Sequence, residues 1–157
     1  MLVTGGSRGL GRAMALGFAE AGADIVVAGR RIESCEEVAT AIQKLGRRAL
    51  GHACQIGRWH ECDVLADAAY ACFGKVDVLI NNAGKSPLYD RPVDIDEKLY
   101  DSVVDLNLKG PFRLTAVIGQ RMMDAAGARS STFPASARSE RGRTSPPTRR
   151  RRRGSTR

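Results

Sequence analysis

Leu2-Val3-Thr4-Gly5-Gly6-Ser7-Arg8-Gly9-Leu10-Gly11 is the stretch on which the reading of this 157-residue chain turns. A short β-branched run leads into closely spaced glycines, and an apolar-periodic segment opens at Leu10. The order is strand, tight turn, helix. Glycine lacks a Cβ, so the turn can take backbone angles closed to other residues and let a ligand approach the main chain. The helix beyond it offers unpaired N–H groups and the positive end of its dipole, which suit a phosphate.

Working outward, the first helix is expected from Gly9 to Ala21, with Leu10, Met14, Leu16, Phe18 and Ala21 as its buried stripe. Asp24 to Gly29 reads as a strand covered on both faces, which completes a β-α-β unit. Glu33 to Leu45 has helical spacing at Val38, Ile42 and Leu45. Arg48 to Ile56 is the third strand, and Arg58 to Phe73 a helix with Leu65, Ala68, Ala69 and Cys72 inward. Val76 to Ile80 is the fourth strand and runs into Asn81-Asn82-Ala83-Gly84. Ile95 to Ala126 is helical with an interruption near Gly110-Pro111. This alternation predicts an α/β Rossmann-type, doubly wound parallel sheet that stops after about four strands.

The net charge of +8 does not describe the whole chain. Residues 1–126 hold 15 Lys+Arg against 16 Asp+Glu, whereas residues 127–157 hold ten Arg against the single acid Glu140. Two regions follow: a truncated dinucleotide-binding domain over 1–126 and an Arg/Ser/Pro-rich tail over 127–157. In the tail Phe133 is the only large hydrophobe, so it is read as disordered. Arg149 to Arg153 would bind polyanions, but without interleaved aromatics nucleic acid is not the expected partner.

The four cysteines form no C-x-x-C pair and read as free thiols. His52-Ala-Cys54 and His60-Glu-Cys62 lack a usual zinc spacing, so no metal is expected. No run approaches a membrane span or an apolar signal segment, so a soluble, cytoplasmic protein is the expectation. Met1 lies so close to the glycine turn that the first strand is about three residues, short of the usual ~5–6.

The glycine turn with Thr4 before it, the Asn81-Asn82-Ala83-Gly84 turn and their separation resemble the short-chain dehydrogenase/reductase family. The resemblance covers the N-terminal part of the chain. It implies an oxidoreductase that transfers hydride between a nicotinamide cofactor and a small carbonyl/alcohol pair. It also implies cofactor contacts at Gly5, Ser7, Arg8, Gly9, Leu10 and Gly11, and along Asn82, Ala83 and Gly84. Gly29 stands where an NAD enzyme usually has an acid for the ribose 2′-hydroxyl, and Arg30 and Arg31 follow it. Guanidinium groups there suit a 2′-phosphate, so NADP is favoured over NAD. At the end of the third strand Gln55 replaces the family's acid facing the adenine, and its amide oxygen still accepts a hydrogen bond. Asn107 matches the family's catalytic asparagine, which helps hold a proton-relay water.

The family's remaining catalytic groups are a Ser and a Tyr-x-x-x-Lys, yet residues 108–157 contain no Tyr and no Lys beyond Lys109. The chain as written is therefore expected to be inactive, and a non-catalytic dinucleotide-binding fragment is the alternative. A frameshifted or mis-sequenced gene would account for the tail. In one shifted frame Ser130 to Pro134 can encode Val-Val-Asn-Val-Ser, and the junction at Ala135 another Ser. The Pro147/Thr148 junction can encode Tyr, Arg149 to Arg152 Ala-Ala-Ala-Lys, and Thr156 with Arg157 Asn-Ala. The substrate is not readable, and a homo-oligomer remains open.

Overall fold

A computed structural model describes residues 1–130, with side chains described through 126. Expectations for the tail beyond Ser130, its disorder and Phe133 among them, lie outside the described residues. Four parallel strands, β1 (Leu2–Thr4), β2 (Ile25–Gly29), β3 (Ala49–Ala53) and β4 (Leu79–Ile80), lie in the order β3-β2-β1-β4. Helices α1 (Gly9–Glu20), α2 (Ile32–Lys44), α3 (Trp59–Phe73) and α5 (Gly110–Ser130) cover both faces, and α4 (Glu97–Val104), with no buried residue, leads into α5. The α/β reading with four strands is the observed architecture.

Successive strand residues point to opposite faces, and the two cores divide accordingly. Leu2, Val26 and Ala28 pack with Leu65, Ala69, Leu114 and Ile118 of α3 and α5. Val3, Ile25 and Val27 pack with Ala15, Ala19, Val38 and Ile42 of α1 and α2. All five residues of β2 are buried, which is why its sequence is a continuous apolar run rather than an alternating one. β4 is shorter than the expected Val76–Ile80 because β1 is its one strand neighbour among the described residues. The three-residue β1 offers it only the pairs Leu2 to Leu79 and Val3 to Ile80.

The helix stripes differ from expectation in an instructive way. On α1 the buried residues are Gly11, Ala15 and Ala19, while Leu10 is 70% and Phe18 38% exposed. A Cβ on Gly11 would lie 2.2 Å from the Gly5 carbonyl oxygen, so the helix rides too close to the sheet for large side chains on its inner face. On α2 the inward residues are Cys35, Val38, Ala39 and Ile42, and Leu45 lies beyond the last turn, largely exposed. On α3 Cys62 and Ala66 join Leu65 and Ala69, whereas Cys72 is exposed in the last turn.

The interruption expected near Pro111 is a stretch of π geometry over Asp105–Lys109 joining α4 to α5. The Gly110 N–H reaches back to the Asp105 carbonyl, one residue further than in an α-helix. Proline at 111 has no N–H to donate, and Gly110 packs against Ile56, whose carbonyl oxygen would lie 2.0 Å from any Cβ there. The chain takes up one extra residue instead of kinking. α4 itself starts on a capping hydrogen bond, Leu99 N–H to Asp96 Oδ1 at 2.6 Å.

Candidate cofactor cleft

The chain leaves β1 for β2 and β3 on one side and returns to place β4 on the other. The loops after β1 and β4 therefore diverge at the carboxyl ends of adjacent strands, which is where open α/β sheets form a crevice. A cleft of about 1140 Å³ opens there. Its walls bring together Gly5, Ser7, Arg8, Gly9, Leu10, Gly11, Arg30, Arg31, Gln55, Asn82, Ala83 and Gly84. Asn107 lies instead in an adjoining recess of about 460 Å³, shared with Asn81 to Ser86 and Pro111.

The glycine turn is shaped by need. Gly5 (φ +63°) and Gly9 (φ +53°) hold left-handed angles that other residues rarely adopt. A Cβ on Gly5 would also meet Ala83 Cα and Asn82 Nδ2 at 3.0 Å. Gly9 by contrast has open space beside it, so its backbone is bare to the cleft. Arg8 precedes α1 in extended conformation without a side-chain cap, and the first turn holds no acid. The free amides of that turn and the helix dipole are thus unopposed by any local anion. This is a cradle of the right character for a pyrophosphate.

Thr4 and Asn82 hold the two loops together. The Thr4 hydroxyl accepts from the backbone N–H groups of Asn82 and Ala83, both at 3.0 Å, and donates to the Ile80 carbonyl at 3.2 Å. Asn82 Nδ2 returns bonds to the Thr4 and Gly5 carbonyls at 3.0 and 3.3 Å. Thr4 is 1% exposed, and every polar bond it makes here spans more than 70 residues of chain. A sequence pattern carries no signal for such a bond; only the topology reveals it.

At the far end, Arg8, Arg30 and Arg31 are exposed, and among the described residues none joins an ion pair. Gln55 is exposed too, and its backbone N–H donates to Glu61 Oε2 at 2.6 Å. That bond, with the Arg58 guanidinium at 3.0 Å, holds the Glu61 carboxyl below the usual carboxylate range. An acid is therefore present beside Gln55, supplied from α3 rather than by the strand end.

Asn107 sits in the π stretch, and both ends of its amide are engaged. Its Oδ1 accepts from the Lys85 N–H at 2.9 Å and its Nδ2 donates to the Lys85 carbonyl at 2.8 Å. The side chain pins the loop after β4 to the helix. Lys85, which lines both the cleft and the recess, places its ammonium on the Ser102 hydroxyl. Lys85, Ser102, Asp105 and Arg58 also border the cleft and were not anticipated. Their one legible signal is position, just after a strand or on the helix facing the strand ends.

The fold and cleft define a Rossmann-type nucleotide-binding architecture. The sequence profile of the short chain dehydrogenase family matches residues 1–130, and the chain belongs to that family. It is 37% identical over 122 residues to 2-dehydro-3-deoxy-D-gluconate 5-dehydrogenase of Dickeya dadantii, covering 78% of this chain and 47% of the relative. Among solved structures, a metagenomic short-chain oxidoreductase in complex with NADP superposes with TM-score 0.76 at 31% identity, over 79% of this chain and 56% of that one. The 3-ketoacyl-(acyl-carrier-protein) reductase of Brucella melitensis, complexed with NADH, gives TM-score 0.69 at 34% identity over 73% and 46%. The chain spans about half the length of the curated relatives it matches.

Proposed function

We propose that this chain is the cofactor-binding part of an NADP-dependent short-chain oxidoreductase acting on a small carbonyl/alcohol pair. The observation that carries the choice of NADP is the far end of the cleft: three exposed arginines, Arg8, Arg30 and Arg31, without an acid partner among the described residues, and Gly29 in place of a carboxylate. A guanidinium meets a phosphate with paired, charge-assisted hydrogen bonds, and a carboxylate at position 29 would repel it. One of the similar solved structures is complexed with NADP and another with NADH, so the reading of NADP rests on the local charge.

The cradle at Gly5 to Gly11 would take the pyrophosphate, Gln55 the adenine edge, and Asn82 to Gly84 the adenosine side of the cofactor. When bound, the cofactor supplies the hydride. The chain contributes the binding surface and, through Asn107, a fixed position for the loop after β4. It holds no Tyr after Tyr100 and no Lys after Lys109, so the group that would move the proton to or from the carbonyl oxygen is missing. Binding without turnover is the expected behaviour.

The test is a paired titration of the purified chain. NADPH raises the unfolding midpoint at lower concentration than NADH does. No NADPH oxidation is seen over a panel of ketones. Equal affinity for the two cofactors overturns the NADP assignment, and measurable oxidation overturns the assignment of binding alone.

A further inference from the structure

The end of β2 holds a contact that the charge argument does not use. A Cβ built on Gly29 would lie 2.9 Å from the Cys35 sulfur and 3.1 Å from Ser7 Oγ. Gly29 has no positive φ, so the requirement for glycine here is one of space and not of backbone angle. Ser7 is only half-buried and its hydroxyl can turn aside. The sulfur cannot. Cys35 is fully buried in the first turns of α2, packed with Val27, Val38 and Ile42.

The helix that carries it is also fixed. Gly51 of β3 lies so close beneath α2 that a Cβ there would meet the Glu36 nitrogen at 2.8 Å and the Cys35 carbonyl carbon at 2.9 Å. Backbone against backbone leaves no slack for α2 to retreat. The His52 N–H on the same strand donates toward the sulfur, and burial keeps the thiol protonated by pushing its pKa up. The sulfur is a filler in a closed space, not a group that a ligand reaches.

We propose that Cys35 is a positioning residue for cofactor selectivity: its buried sulfur keeps position 29 free of any side chain, so an adenosine ribose at this end meets Arg30 and Arg31 and no carboxylate. The selectivity then has an attractive part, the arginines, and an excluding part, the sulfur. This rests on the NADP reading above, with one consequence of its own. Installing the acid of an NAD site at position 29 must fail while Cys35 stays.

The test has a stability arm and a binding arm. In the first, unfolding midpoints are compared for the wild type, Gly29→Ala, Cys35→Ala and the double variant. Gly29→Ala is expected to lower the midpoint sharply and the double variant to recover most of the loss, a non-additive pair. Additive effects overturn the proposal whatever the cofactor. In the second, adenosine 2′,5′-bisphosphate, 5′-AMP, NADPH and NADH are titrated against the wild type, Gly29→Asp, Gly29→Asp/Cys35→Ala and Cys35→Ser. Gly29→Asp is expected to lose the bisphosphate by about tenfold without gaining NADH, and the double variant to gain NADH by about tenfold. Cys35→Ser keeps the wild-type ratio. If Gly29→Asp alone binds NADH as well as the double variant does, the proposal fails and the NADP reading stands. If the wild type shows no preference for the bisphosphate over 5′-AMP, the NADP reading fails and takes the proposal with it.

Discussion

The two ends of the cleft are built differently. At the adenosine end most of the lining, Gly5 to Arg31, lies within one β-α-β unit on strands that are buried and flanked on both sides, and Gln55 after β3 and Asn82 to Gly84 after β4 complete it. At the recess end the determinants come from the two-residue, half-exposed β4, the loop that follows it and the π stretch some twenty residues later. The first set is mostly local in sequence and rigidly supported. The second set is assembled from distant pieces, with the Asn107 amide reaching the Lys85 backbone across 22 residues of sequence.

The largest effects should come from breaking the seam between these two ends. Gly11→Ala places a methyl 2.2 Å from a backbone oxygen that cannot rotate away. A loss of about 3 kcal/mol in unfolding free energy is expected, at the upper end of overpacking costs, read by urea titration. The same change at Gly17, in the same helix with nothing within 4 Å, serves as control and should be neutral or stabilising. Next comes Thr4→Val, which keeps the volume and removes the hydroxyl from two backbone N–H groups. Stranding those donors should cost about 2 kcal/mol and weaken NADPH binding, since Asn82 and Ala83 lose their anchor to the glycine turn.

That seam also marks what could be read in advance. The strand-helix alternation, the glycine turn, the Asn-Asn-Ala-Gly turn and the arginines were legible because each is a short pattern with a local mechanism. The inner face of α1 was not, because apolar periodicity selects the largest side chains. Here the approach of Gly11 to Gly5 admits only Ala15 and Ala19. Nor was the role of Thr4, which reads as one more β-branched strand residue until β4 is placed beside it. Asn107 was located by resemblance, while its grip on the Lys85 backbone depends on a π turn that the sequence announces only as Gly110-Pro111.

A smaller effect separates charge from fold at the adenosine end. Arg30→Ala removes an exposed side chain that makes no ion pair among the described residues, so the unfolding midpoint without ligand should stay within error. Affinity for NADPH should fall about tenfold and that for NADH should hardly change, the signature of a lost phosphate contact. Equal losses for both cofactors would place Arg30 on the shared pyrophosphate instead.

The smallest expected effect concerns acid, and it tests whether α3 supports the adenosine end. Glu61 is held below its ordinary range by the Gln55 N–H first and then by Arg58, and Asp63 by its paired bonds to Arg113 at 2.6 and 2.9 Å. A carboxyl whose pKa is lower folded than unfolded binds fewer protons in the folded state. Its stabilisation is present above the unfolded value and is lost as pH falls through the folded one. Stability should therefore decline from about pH 5 downward, near and below the unfolded carboxylate values of about 4. The Glu61 and Asp63 side chains keep 33% and 30% of their surface in water, which screens both interactions and makes the slope modest. Glu61→Gln and Asp63→Asn should each flatten it. With the acceptor removed altogether, in Glu61→Ala and Asp63→Ala, only the change at Glu61 should also weaken NADPH binding at neutral pH, because of the two carboxylates Glu61 holds the Gln55 backbone at the cleft wall. Matching losses from both substitutions would show that α3 acts on the cleft as a whole and not through this one bond.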